Sequence, residues 1–77
     1  MMALIRHLSK ISRNSRVQAE AESTYNIVIQ NGRKYIQINT YGSKDRVHTN
    51  MVSQTLQLDE QSAKQLFDIL KAEFALT

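Results

Sequence analysis

Between Val17 and Gln30 apolar and polar positions alternate. Val17, Ala19, Ala21, Tyr25, Ile27 and Ile29 interleave with Gln18, Glu20, Glu22, Thr24, Asn26 and Gln30, and only Ser23 and Val28 break the rhythm. A period of two is that of a half-buried strand. Fourteen residues at ~3.3 Å each make an unusually long strand, so the pattern predicts a bend or bulge near Ser23 and Thr24. Asn31-Gly32 follows, a pair that tolerates the two positive φ angles of a type I′ hairpin turn. With Gln30 opposite Arg33, the expected pairs are Ile29 with Lys34, Val28 with Tyr35, Ile27 with Ile36, Asn26 with Gln37, Tyr25 with Ile38 and Thr24 with Asn39. Paired side chains share a face, so Tyr25, Ile27, Ile36 and Ile38 make one apolar surface. The other surface carries Val28, Tyr35, Asn26, Gln37, Thr24 and Asn39 and, by extension, Glu22 with Tyr41.

Residues 42–51, "GSKDRVHTNM", show no period and read as an exposed connection. In "VSQTLQLD", Val52, Gln54, Leu56 and Leu58 alternate with Ser53, Thr55 and Gln57, which predicts a further strand with one apolar and one small-polar face. Asp59 suits a helix N-cap, Glu60 places negative charge in the first turn, and Ala63, Leu66, Phe67, Leu70 and Phe74 recur at helical spacing. The apolar face of the sheet is the natural cover for that stripe, while Ile69 lies off it, where it would extend a dimer seam. Residues 3–13 are ambiguous. Leu4, Ile5, Leu8 and Ile11 suit a helix slightly better than a ragged strand.

The chain has 77 residues without proline or cysteine. A chain of this size buries a modest core and usually needs disulfides, a structural metal or oligomerisation. The lack of cysteine removes the first aid and most zinc patterns, so a homodimer is expected and no cofactor is implied. No apolar run reaches the ~20 residues of a membrane span, and the start of "MMALIRHL" is too short for a signal peptide, so a cytoplasmic protein is expected. Residues 1–18 are basic, serine-containing and free of acid, as in a transit peptide; that reading is set aside because fewer than sixty residues would remain to fold.

Charge is polarised along the chain. Residues 1–57 carry eight Lys/Arg against Glu20, Glu22 and Asp45, whereas residues 58–77 carry Lys64 and Lys71 against Asp59, Glu60, Asp68 and Glu73. A basic N-terminal part fits a polyanion such as nucleic acid, although a net charge of +3 also serves solubility alone. Catalytic chemistry is scarce. Ser43, Asp45 and His48 bring triad residue types together, but neighbours in one loop rarely hold the geometry that separate elements assemble. His7, His48 and Asp45 show no metal-ligand spacing, and "NGRK" lacks the further glycine and the Lys-Ser/Thr pair of a phosphate loop.

The polar hairpin face is more informative. Single-stranded nucleic acid is held by a basic track for phosphates and aromatic rings for bases. Tyr35 and Tyr41 share that face with Gln37 and Asn39, and Arg33, Lys34, Lys44 and Arg46 bracket the strand. An alternative reading is purely structural: tyrosine favours strands, Tyr35 packs on Val28 and Tyr41 caps a sheet edge.

The order of strands, NG hairpin, charged loop, last strand and C-terminal helix resembles the positive cofactor four (transcriptional coactivator) family of single-stranded DNA-binding proteins. "NGRKYIQINTYGSKDR" is similar to that family's central hairpin strand and loop, and "VSQTLQLDEQSAKQLFDIL" to its last strand and helix. The family's basic-Gly pair and early helical aromatic are replaced here by Asn50-Met51 and Ala63. The resemblance implies a homodimer that holds DNA on the exposed sheet face, and a first strand over residues 3–11.

Together these readings predict one α+β unit. A basic segment over residues 1–16 leads into a four-stranded curved antiparallel sheet over about 17–58, and a helix over about 60–75 packs on it (β-β-β-β-α, dimeric). The expected function is non-enzymatic binding of single-stranded nucleic acid, DNA favoured over RNA, in transcription or DNA maintenance. Lys10, Arg13, Arg33, Lys34, Lys44 and Arg46 are assigned to phosphates, Tyr35 and Tyr41 to stacking, and Gln37, Asn39 and Gln54 to polar contacts. The alternative is a protein-interaction or accessory subunit of a larger plasmid, phage or restriction complex, docking through a sheet edge or the acidic helix.

Overall fold

A computed structural model describes residues 1–42 and 52–77 of the chain. It contains strands β1 (Met2–Ile5), β2 (Ser23–Gln30), β3 (Arg33–Tyr41) and β4 (Val52–Leu58), followed by helix α1 (Glu60–Phe74). The fold is α+β, with one four-stranded sheet in the order β1-β4-β3-β2.

The hairpin forms as its turn chemistry dictates. Asn31 and Gly32 adopt φ of 53° and 75°, and all pairs from Thr24 with Asn39 to Gln30 with Arg33 occur in the expected register. The strand is shorter than its alternation. Residues 17–22 are not strand; β3 ends at Tyr41, opposite this point, and among the described residues one ladder-like bond continues there, from the Tyr41 amide to the Glu22 carbonyl (3.0 Å). The irregularity in the ladder falls at Thr40/Tyr41 of β3 instead of near Ser23 and Thr24.

The sheet is mixed and not purely antiparallel. β4 runs antiparallel to β3, but β1 adds to the free edge of β4 in parallel, Met2 facing Thr55 and Ile5 facing Leu58. The residues between β1 and β2 provide the crossover that a parallel neighbour requires. β1 covers only the first part of the strand expected over residues 3–11.

Registers across the sheet create four rows. Ile5, Leu58, Ile36 and Ile27 form one apolar row, and Ala3, Leu56, Ile38 and Tyr25 the next. On the opposite face lie Leu4, Gln57, Gln37 and Asn26, then Met2, Thr55, Asn39 and Thr24. This two-faced sheet follows directly from the period-two pattern.

α1 starts where β4 stops. The Asp59 carboxylate accepts from the Ser62 amide (2.9 Å), and the Ser62 hydroxyl in turn accepts from the Asp59 amide (3.1 Å), closing a capping box. The same hydroxyl donates to the Ile5 carbonyl at 2.6 Å, so the fully buried Ser62 ties the helix start to the end of β1. One layer on, the Gln65 amide clamps the Leu8 backbone, donating to its carbonyl (2.6 Å) and accepting from its N–H (2.9 Å). The helix ends at Ala75, whose φ of 52° places it in the left-handed region and returns its N–H to the Lys71 carbonyl.

The expected helix-on-sheet core is only begun. Ala63 lines a common cavity with Ile36 and Leu58, but Phe67, Leu70 and Phe74 are exposed, as are Tyr25, Ile27, Ile29 and Leu56. Among the described residues Leu58 is the one buried hydrophobic side chain. Ile69, off the main stripe, faces Leu8 across a groove that Ala72 also lines. No helix among the described residues is long and apolar enough to cross a membrane.

Candidate functional site

The polar face is built by three strands whose side chains form a directed hydrogen-bond chain. Gln57 of β4 donates to Gln37 Oε1 of β3 (2.8 Å), and Gln37 donates to Asn39 Oδ1 (2.8 Å). The Asn39 amide nitrogen then donates to Thr24 Oγ1 (3.1 Å) and Asn26 Oδ1 (3.0 Å) on β2, while Thr55 adds a longer bond to Asn39 Oδ1 (3.4 Å). Finally the Thr24 hydroxyl meets the Tyr41 hydroxyl at 3.1 Å. Alternation puts these residues on one face; register puts amides opposite amides, so each donor finds an acceptor. Among the described residues no buried side-chain polar atom lacks a partner.

Burial divides the face into roles. Asn39 is 7% exposed, so its amide serves the network, orienting Thr24 and through it the Tyr41 hydroxyl, and does not offer itself to a ligand. Gln37, Gln57, Tyr35 and Tyr41 are half-buried and keep open surface, and Asn26 and Thr24 are exposed. Tyr35 pairs with Val28, as the structural reading expects, while retaining part of its ring at the surface. Tyr25 belongs to the apolar face.

Cations collect at the hairpin end of the sheet. A cavity of ≈ 890 Å³ there is lined by Arg6, Arg33, Lys34 and Tyr35, with Asp59 and Glu60 from the helix start. Arg6 approaches the Asp59 carboxylate at 3.8 Å and stays largely exposed, a geometry that contributes little binding energy and leaves the guanidinium free to turn to another anion. Hydrogen bonding from the Ser62 amide, assisted by the Ser62 hydroxyl and Arg6 against partial desolvation, holds the Asp59 carboxyl below its ordinary pKa. Asp59 is thus ionised at neutral pH and committed to the cap.

The expected site residues separate into three groups. Arg33, Tyr35, Gln37, Asn39 and Tyr41 lie along β3 on the polar face, whereas Lys34, paired with Ile29 at the hairpin end, is in the phase of Ile36 and Ile38 and faces the apolar side. Gln54 pairs with Thr40 in the phase of Leu56 and Leu58 and so faces the apolar side, away from that set. Lys10 lines the groove beside Asp68 and Glu73 of the helix, and Arg13 is exposed in a segment without regular structure; neither joins the polar face. Lys44 and Arg46 lie outside the described residues, as do Ser43, Asp45 and His48. Two contributors were not anticipated. Gln57 was visible in the β4 alternation, but Arg6 had no signal, since residues 3–13 carry no decisive period. Among the described residues no three His, Cys, Asp or Glu side chains gather as metal ligands.

Comparison of the chain with protein-family models, curated proteins and solved structures returned no match.

Proposed function

We propose that this chain is a non-enzymatic, cytoplasmic, homodimeric protein that binds single-stranded nucleic acid, DNA in preference to RNA, on the polar face of its sheet. One observation carries the reading. Tyr35 and Tyr41 stand on the same face as the half-exposed amides of Gln37 and Gln57, with Arg6 and Arg33 at its hairpin end. Bases stacked on the two rings would leave phosphates to run toward those cations, and the amides would accept several base identities, which suits binding with little sequence preference. The likeness of element order to the positive cofactor four family supports the same reading, with the mixed sheet as a departure from it.

The test is a fluorescence-anisotropy titration of single-stranded against duplex DNA at two salt concentrations. Single strands should bind more tightly, and affinity should fall steeply with salt as counterion release requires. Equal binding of duplex, or binding indifferent to salt, would refute the reading.

A second reading, a docking subunit for another protein, is favoured by β2. This edge strand reads STYNIVIQ, with no charge and no proline to discourage strand addition. Recovery of one stoichiometric protein partner, with no shift of single-stranded oligonucleotides at low salt, would select it.

A further inference from the structure

Apolar surface is left open in two places that do not meet within the chain. On the sheet, Tyr25 is 73% exposed and Ile27 47%, with Ile29 and Leu56 beside them. On α1, Phe67 is 57% exposed and Phe74 69%, with Leu70 between them. The helix is held by another side. Ser62 and Gln65 bond to the backbone of Ile5 and Leu8, and Ile69 and Ala72 line the groove against Leu8, Ser9 and Lys10. At 3.6 residues per turn this packed side lies roughly 150° around the helix from the Phe67, Leu70 and Phe74 ridge. The clamp that fixes α1 on residues 5–8 therefore leaves the ridge off its own sheet.

The open area is of interface size. At about 180 Å² for a fully exposed large side chain, these seven residues leave roughly 700 Å² of apolar surface in water. Separately the sheet patch (~420 Å²) and the helix ridge (~300 Å²) are each no larger than the largest patch of an ordinary monomer, ~300–600 Å²; together they approach the ~800 Å² that each side of a standard interface buries. The two apolar rows of the sheet contain no charged residue, Lys34 borders them beside Ile29, and the charges nearest the ridge, Lys71 and Glu73, flank it. Each chain thus offers both a ridge and a flat apolar receptor, the self-complementary set that a two-fold interface needs.

We propose that a second copy of this chain covers this surface, the Phe67, Leu70 and Phe74 ridge of each α1 lying across the partner's Tyr25, Ile27 and Leu56. This rests on the homodimer in the function proposed above and not on nucleic-acid binding. Its consequence is geometric: with the apolar faces joined, the two polar faces point outward, and each dimer presents two separate sites.

Analytical ultracentrifugation of the full chain should give twice the 8.9 kDa chain mass. Phe67→Glu and, on the sheet, Ile27→Glu should each return it to a monomer that keeps its circular dichroism. A native chain that sediments as a monomer, or that grows into open-ended polymers, overturns the proposal. A dimer that survives both substitutions overturns this interface and leaves some other dimer standing. Because the chain has no cysteine, a second measurement does not depend on disruptive variants. Chains carrying Tyr25→Cys are mixed with chains carrying Phe74→Cys and treated with a short bismaleimide. A mixed cross-linked dimer, identified by mass, is the expected product, and like-with-like products alone would refute the geometry. The anisotropy titration reads the polar face separately, so failure of the interface and failure of nucleic-acid binding are distinguishable.

Discussion

Asn39→Ala tests whether the amide network organises the polar face. The side chain makes four hydrogen bonds at a position 7% exposed, to Thr24, Asn26, Gln37 and Thr55. Thr24 and Asn26 are exposed and can bond water instead, so their loss costs little. Thr55 is 5% exposed and Gln37 half-buried, and both lose a partner that water does not readily replace. A lost bond with a stranded group costs about 1–3 kcal/mol when buried, and the 3.4 Å Thr55 contact lies at the weak end, so about 2–3 kcal/mol is expected in all. A domain of this size is worth about 4–11 kcal/mol, so the change is a large share of its stability. The assay is urea unfolding followed by circular dichroism, at equal protein concentration for both chains because dimerisation would add to apparent stability. Ser53→Ala is the control, an exposed hydroxyl that among the described residues bonds only the Thr40 carbonyl, at 3.2 Å, and should change stability by less than about 0.5 kcal/mol. An Asn39→Ala change no larger than that control would refute the claim that the network is a structural unit.

Further outcomes follow from single residues. Ser62→Ala removes the hydroxyl that joins the Asp59 amide to the Ile5 carbonyl at a fully buried position, and thermal unfolding should show a loss of about 2 kcal/mol, with a lowered melting temperature. Asp59 has a depressed native pKa, so its stabilisation is complete above the ordinary aspartate pKa of about 3.9 and fades as pH falls through the native value. In Asp59→Asn that acid-side component of the stability profile should disappear, and an unchanged profile would show that other carboxylates carry it. Gly32→Ala meets no atom within 4 Å but must hold φ near 75°, so urea titration should give about 1 kcal/mol of destabilisation from backbone strain alone. Tyr35→Ala should keep the fold by circular dichroism yet lose about 1–3 kcal/mol of single-strand affinity by anisotropy; unchanged affinity would remove its stacking role.

The likeness to an all-antiparallel sheet failed at β1 for an instructive reason. Nothing in "MALI" specifies a direction of pairing; β4 offered a free edge, and the long stretch from Arg6 to Glu22 allowed a parallel approach. The basic site was half legible for the same reason. Arg33 and Lys34 sit at a known register, whereas Arg6 reaches the hairpin end only because Ser62 holds the end of β1 there.

Wherever structure rests on neighbours in sequence, the residues alone determined it. Asn31-Gly32 set the hairpin register, period-two alternation set which side chains share a face, and Asp59 with the following apolar spacing set the start and course of α1, since turn geometry, pleat and capping all act within a few residues. Tertiary contacts decided the rest. They chose the direction of β1, set the paired part of the predicted fourteen-residue strand at the eight residues of β2, and turned Ser62, Gln65 and Ile69 instead of Phe67 and Phe74 toward the chain. A helical stripe states what must be buried; which surface buries it is a competition among all available surfaces. Here two backbone clamps on residues 5–8 won that competition and left the apolar ridge facing outward.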